Sequence, residues 1–575
     1  MRMILSYMKP FKTRIFWGTT VKLLGALLEL FLPAILAYIV DTLVPLGDFR
    51  QILLFGLLMV LCSFLAWIAN IVANRIAAYV SAKTVYNIRQ DSFERIMDMS
   101  SKQVDQLSIA SLETRLTTDT YNIHRFTGAI QRMGVRAPMM FLGGIVMCLS
   151  LQPQLTMILI LLVPLIFFSV GFITWRGVPM FTNLQRRIDT MVRIVRENLI
   201  GVRVSKALNT TDREKQRFFD SSYDVAAMEV KATRWMSLNF PIINILLYTG
   251  LTAILIYGGH LVLSGQTHEG VIIAFLSYFI IITNSLLAIN RMFVIYNRAN
   301  TSAMRINDIL TQPKASERQV FEVEAKETPA HIVFDEVSFS YYGEDSEELV
   351  IEDVSFKLQE GQTLGIIGAT GSGKSTLISL LMRHYDLQEG MIYIHGESIQ
   401  SIELDQLHQK FGVVFQSDFL YKDTIYNNID FGRNLPREDI IKATKTAQAY
   451  DFIMERQDQF EYMLASKATN LSGGQKQRLL LSRAIAGNPE ILILDDSVSA
   501  LDFITESKFR QALKKNYQQL TSIIIAQRIS SIQNADQILL LDQGRLLGIG
   551  THQQLLATQP IYQEIAKQQM GELHE

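Results

Sequence analysis

Two cysteines in 575 residues, Cys62 and Cys148, both inside apolar runs, exclude a disulfide framework and any cysteine-built metal site. They read as small buried hydrophobes. An excess of either charge is also missing: 54 Lys and Arg stand against 55 Asp and Glu, and the pI is near 6.8. A nucleic-acid-binding protein would carry a strongly basic domain, so that class is excluded. Charge of both signs is scarce, at 19% against 49% hydrophobic residues, and mean hydropathy is +0.18. The deficit falls in the first half of the chain, which points to a membrane domain followed by a soluble one. Residues 1–12 are basic but lack an apolar core and a small-residue cleavage site, so the first span is expected to act as its own insertion signal.

Apolar stretches able to span a bilayer lie near residues 17–42, 51–74, 135–152, 155–175, 240–263 and 271–290. About 20 residues of helix cross the hydrocarbon core. The short connections 43–50, 152–154 and 264–270 contain, of Lys and Arg, only Arg50. The long ones, 75–136 and 176–239, are rich in both, which places them and both termini in the cytoplasm. Their helical periodicity predicts hairpins of about 25 residues per arm, reaching roughly 35–40 Å from the membrane. Their tips are expected at 112–119 and 208–214, polar segments suited to dock into a soluble domain. Among the few polar residues in the spans, Asn70, Asn244 and Asn284 read as interhelical hydrogen-bonders. Glu29 has two readings: a cavity residue favouring amphipathic cations, or a partner of Lys22 on the same helix face.

Charge rises and long apolar runs stop within residues 306–330, so a linker divides a membrane domain, 1–305, from a soluble domain, 331–575. In the latter, short apolar strands alternate with helices. Thr363-Leu-Gly-Ile-Ile-Gly-Ala-Thr-Gly-Ser-Gly-Lys-Ser-Thr-Leu377 is a strand, a glycine-rich loop and the start of a helix. Gly368 to Ser375 fits the phosphate-binding P-loop. Gly368, Gly371 and Gly373 let the loop curl and turn backbone N–H groups toward an anion. Lys374 would reach the β and γ phosphates, and Ser375 would ligate Mg²⁺. Ile491-Leu-Ile-Leu-Asp-Asp496 is a buried strand ending in acid, with Asp495 placed for the Mg²⁺ shell. Between the two lies Leu471-Ser-Gly-Gly-Gln-Lys-Gln-Arg478.

With that last motif in this order, the whole chain resembles an ABC exporter half-transporter. The resemblance implies an α-helical six-span transmembrane domain with long cytoplasmic helical extensions, fused to an α/β P-loop ABC ATPase domain. It implies ATP and Mg²⁺ as cofactors, membrane lipid around the spans, a small lipophilic substrate and a second half-transporter. Tyr341 resembles the residue that stacks on adenine. Thr370, Gly371, Gly373, Lys374, Ser375 and Thr376 match the phosphate loop, and Gln416 matches the glutamine that contacts Mg²⁺. Ser499-Ala-Leu-Asp502 resembles the D-loop. Ser472, Gly473, Gly474 and Gln475 would bind nucleotide held by the partner chain.

Two positions depart from the family. Where a catalytic Glu is usual this chain has Asp496, a methylene shorter, and a misplacement of about 1 Å can cost about 10²-fold in rate. Where a switch His is usual it has Gln527, which carries neither proton nor charge. A third departure is Tyr462-Met-Leu-Ala-Ser466, which lacks the acid usual before the signature. These features resemble the degenerate-site subunit of heterodimeric bacterial multidrug exporters, in the cell membrane. A lipid, peptide or siderophore cargo on the same fold, or a nucleotide-gated regulator that does not transport, are the alternatives.

Overall fold

The computed structural model describes every residue except 316–320, 322, 324, 342–347, 498–500 and 571–575. The chain forms two compact units, Met1–Arg95 with Ala110–Thr311, and Ile96–Ile109 with Gln312–Glu575. Part of the linker predicted at 306–330 lies outside the described residues.

Among the described residues of the first unit, six helices are long and apolar enough to cross a membrane: Arg2–Leu46, Phe49–Met97, Ile109–Leu151, Pro153–Ile200, Thr211–Leu263 and Glu269–Leu310. At about 1.5 Å per residue each far exceeds the ~30 Å a bilayer core requires. Their outward faces are apolar: Leu54, Leu57, Val60 and Trp67 of the second helix are all more than half exposed. That pattern is stable only where the solvent is itself apolar. Inside, packing is close. A Cβ on Gly250 would lie 2.6 Å from the Phe279 ring, so the helices Asn239–Leu263 and Glu269–Leu310 meet nearly backbone to side chain.

Lys22, Glu29, Asn70 and Asn74 form one network with Arg136. Glu29 pairs with Arg136 at 2.5 Å, and Asn70 donates to Glu29 at 2.8 Å. Lys22 donates to Asn70 at 2.6 Å and to Asn74 at 3.1 Å. The expected Lys22–Glu29 pair is therefore replaced by a bridge through Asn70. Asn244 and Asn284 make no hydrogen bond among the described residues, contrary to expectation.

The first hairpin tip is displaced from its predicted position. Residues 112–119 lie within the helical bundle, where Asp119 is fully buried, accepts from Ser302 at 2.8 Å and is paired with Arg305. A buried acid needs such partners, which fixes this segment inside. The turn falls instead at 98–108, where Ser100 caps the short helix Ser101–Leu107. The second tip, the helix Val202–Ala207 with residues 208–210, lies mostly before the expected 208–214 and coincides with it only at 208–210, because Thr211 already opens the returning helix Thr211–Ser237.

In the second unit, β1 (Ile332–Phe339), β2 (Ile351–Leu358), β4 (Glu389–Ile394) and β5 (Glu397–Ser398) form an antiparallel sheet in the order β2-β1-β4-β5. A second sheet runs β10-β9-β3-β8-β7-β6. Its members are β3 (Thr363–Gly368), β6 (Phe411–Val414), β7 (Ile491–Asp495), β8 (Thr521–Ile525), β9 (Gln537–Asp542) and β10 (Arg545–Gly550). All pairings in it are parallel except β9–β10. β7 and β8 are buried at every position, as continuous aliphatic runs covered on both faces require. The crossover order puts the carboxyl ends of β3, β7 and β8 side by side, where open α/β sheets bind ligands.

At the opposite end of that sheet His331 is 2% exposed, its Nδ1 lies 2.6 Å from the Thr521 hydroxyl, and its ring stacks on His395. Burial, and next the proximity of His395, push its pKa from 6.5 down to about 4. The folded state thus holds a neutral ring, and the unfolded chain binds the extra proton as pH falls below 6.5. Stability from this group is complete above pH 6.5 and is lost toward pH 4. Thermal melts of the full chain between pH 7.5 and 4.5 should show a steeper fall for the wild type than for His331→Asn, which keeps a hydrogen-bond partner for Thr521. Parallel pH profiles would contradict this.

Candidate functional site

β3 ends at Gly368, and the helix Lys374–Leu381 begins after a five-residue loop, 369–373. Gly371 and Gly373 have φ of +85° and +96°, a region in which side chains are strained. A Cβ at Gly373 would also strike Ile351, and one at Gly368 the Leu541 carbonyl. A Cβ at Gly371 would meet nothing within 4 Å, so the loop is open there. Lys374 folds back over the loop, donating to the carbonyls of Gly368 at 3.0 Å and Ala369 at 2.7 Å. Burial pulls its pKa down, and Asp495 and Asp496 pull it back up.

The loop forms one wall of a cavity of about 290 Å³. Thr370, Gly371, Gly373, Lys374, Ser375 and Thr376 line it on one side. Gln416, Asp495, Asp496 and Gln527 complete it. Ser375 donates to Asp495 at 2.9 Å. Burial raises the Asp495 pKa, the Ser375 hydrogen bond opposes the rise, and the neighbouring Asp496 adds to it. The hydroxyl, the carboxylate and the Gln416 amide make an all-oxygen donor set, which fits Mg²⁺. Asp496 has a left-handed φ of 48° and donates its N–H to Ile525 at 3.0 Å. Gln527 donates to its carboxylate at 3.2 Å.

Tyr341 stands beside this group. Its hydroxyl is 3.1 Å from that of Thr376, and its ring meets Phe339 and Tyr385 edge to face. Ser472 to Gln475 do not line the cavity. Ser472 caps the helix Gly473–Ile485, and the Gln475 side chain turns back onto the Ser472 N–H at 3.1 Å. Ser472 and Gly473 are exposed, leaving a capped helix start open to another molecule. Of the motif Ser499–Asp502, Ser499 and Ala500 lie outside the described residues; Asp502 caps the helix Phe503–Asn516.

Comparison with known proteins agrees with this architecture. The ABC transporter transmembrane region model matches residues 15–286, and the ABC transporter model matches residues 351–499. The chain is 33% identical over 572 residues to the uncharacterized ABC transporter ATP-binding protein YfiB of Bacillus subtilis (strain 168), covering 99% of each. The chain is an ABC transporter. It is also 30% identical over 522 residues to the ATP-dependent lipid A-core flippase of Methylobacillus flagellatus, spanning 90% of this chain and 87% of that one. A solved bacterial Atm1-family ABC exporter with ATP bound shares the fold, with a TM-score of 0.81 at 24% identity, covering 97% of this chain and 99% of that one. The transporter is thus a multi-pass membrane protein with the exporter fold, and its ATPase domain couples ATP hydrolysis to transport.

The structure adds a connection that no motif announces. Residues 96–109 belong to the ATPase unit, not to the helices they join. Asp98 pairs with Lys314 at 3.1 Å, and Gln103 donates to Gln312 at 3.2 Å. Tyr385 donates its hydroxyl to Asp105, and its ring lies edge-on to Tyr341, 5.0 Å between centroids. Tyr341 in turn touches Thr376 of the phosphate loop. A chain of contacts therefore runs from the hairpin tip to the nucleotide cavity. Tyr385→Phe removes the charge-assisted bond and keeps the ring. In the assembled transporter it should leave ATP affinity within about twofold while substrate stimulation of ATPase falls about fivefold, the scale of a coupling contact. Unchanged stimulation would remove Tyr385 from the connection.

Proposed function

We propose that this chain is one subunit of a heterodimeric exporter of lipophilic compounds in a bacterial cytoplasmic membrane, with both termini in the cytoplasm. It supplies the weakly hydrolysing ATP site and lends its signature helix to a partner that carries the usual Glu and His. The observation that carries this reading is the Asp496–Gln527 contact at 3.2 Å on the wall of the phosphate cavity. An amide donating to a shortened carboxylate occupies the group that would take a proton from water, and offers no proton of its own.

The remaining residues are equipped to hold nucleotide. Loop N–H groups and Lys374 grip the phosphates, Tyr341 offers a face to adenine, and Ser375, Asp495 and Gln416 hold the Mg²⁺. Bound there, Mg²⁺ neutralises phosphate charge. Ser472, Gly473 and Gly474 present helix-start donors to a γ-phosphate held by the partner. That these residues do not line their own cavity supports completion in trans. Exposed apolar residues at the second hairpin tip, Leu199, Ile200 and Leu208, support a second chain as well. A lipid cargo on the same machinery is the second reading, supported by the likeness to a lipid A-core flippase.

Purified alone, the chain should bind ATP and turn it over slowly. The double change Asp496→Glu with Gln527→His should raise turnover by about 10²-fold, the usual scale of a placed base and a general acid–base group. Brisk ATPase from the unaltered chain alone, measured by phosphate release, would overturn the assignment.

A further inference from the structure

The membrane unit carries more positive charge along one groove than it neutralises. A cavity of about 500 Å³ is lined by Lys22, Glu29, Arg132 and Arg136, with Met133, Met140 and Ile281 among its apolar walls. Glu29, the only acid lining it, is already paired with Arg136. Lys22 is 4% exposed and has two amide oxygens as partners, so one of its three N–H groups has no acceptor among the described residues. Arg132 has neither an ion pair nor a hydrogen bond among them.

A second cavity of about 290 Å³ follows along the same two helices, Thr120–Leu151 and Glu269–Leu310. Arg125, Arg291 and Arg298 line it, with no acid. None of the three has an acidic partner among the described residues. Arg125 and Arg132 are two turns apart on one helix, about 10 Å at 1.5 Å per residue. Two neighbouring cavities on the same helices thus each carry a surplus of cations, the second with Asn122, Val294 and Ile295 beside its three arginines. The arginines at 125, 291 and 298 are exposed, whereas Lys22 is buried within a span, where charge is costly without an anion to meet it.

We infer that this groove takes an anionic amphiphile: an apolar body lying against Met133, Met140 and Ile281, and a phosphate or carboxylate head met by Lys22 and Arg132. The arginines at 125, 291 and 298 collect such heads electrostatically. This reverses the preference for cations that Glu29 alone suggested, because the acid is taken by Arg136. The inference rests on the exporter reading of the membrane unit and deepens it.

Full-length protein in phosphatidylcholine nanodiscs, without nucleotide, would be titrated with fluorescent dodecyl phosphate and with the matching dodecyl trimethylammonium. The phosphate probe should bind at least about tenfold more tightly, and Arg132→Gln and Lys22→Gln should each weaken it about tenfold, one charge contact apiece. Glu29→Gln frees Arg136 and should tighten phosphate binding, a gain that misfolding cannot imitate. Equal or tighter binding of the ammonium probe overturns the proposal. So does displacement of the phosphate probe by millimolar inorganic phosphate, which would show that a free anion suffices. The exporter reading fails separately, if no probe of either charge is moved by the assembled transporter with ATP.

Discussion

A carboxylate buried against a hydroxyl, Asp495 beside Ser375, is the constraint around which the ATPase unit is built. Asp495 ends a strand with no exposed position, so its charge has lost most of its water. Asp496 next to it makes matters worse, and only Ser375 and Lys374 oppose the cost. The sheet register enforces the arrangement. Asp495 pairs with Ile525, and Ile525 with Ile366, so the acid, the β8 end and the strand before the phosphate loop lie in one row. A slip of one residue in β7 would turn the acid to the other face and dissolve the site. Two acids against one lysine leave the cavity short of positive charge, a shortage that a divalent cation with its phosphates relieves.

How much of this was legible from the residues depended on whether the information was local. The phosphate loop, the acid-ending strand and the signature are contiguous motifs whose chemistry follows from order and spacing, and the structure gathers the first two into one cavity. Six spans were legible because apolar length is a one-dimensional property. The Arg136 partner of Glu29, 107 residues away, was not, since spacing along one helix could propose only Lys22. The hairpin tip was misplaced for the same reason. Leu112 to Asp119 is polar and reads as exposed, yet Asp119 is buried by Arg305 and Ser302 from a helix nearly two hundred residues on. Tyr385 and Asp105, separated by 280 positions, belong to no local pattern at all.

The membrane unit follows the same electrostatics in a harsher medium. Its outer faces are apolar, Glu29, Asn70 and Lys22 are joined to one another, and cations with no acidic partner among the described residues gather on the helices Thr120–Leu151 and Glu269–Leu310. The two halves of the chain solve opposite problems. The ATPase unit concentrates acid where it awaits a cation and phosphate, and the helices concentrate base where an acid is wanting. Each imbalance marks a place that a ligand completes.

Asp496 shows how backbone and chemistry constrain one another. Its φ of 48° lies where Asp is tolerated better than longer side chains, because a short polar side chain can bond locally. Gln527, 31 residues on in the chain, adds a non-local bond to the same carboxylate. The pair is a held arrangement and a poor proton acceptor. In the proposed heterodimer this has a thermodynamic consequence. A ligand that binds only the closed pair stabilises it by RT ln(1 + [L]/Kd), about 2.7 kcal/mol at a hundredfold excess over Kd. At a fast site that contribution vanishes with each hydrolysis. At a slow one it persists, so the two ATPase domains stay near one another while the other site fires, and the motion passed to the membrane helices is driven by one nucleotide at a time.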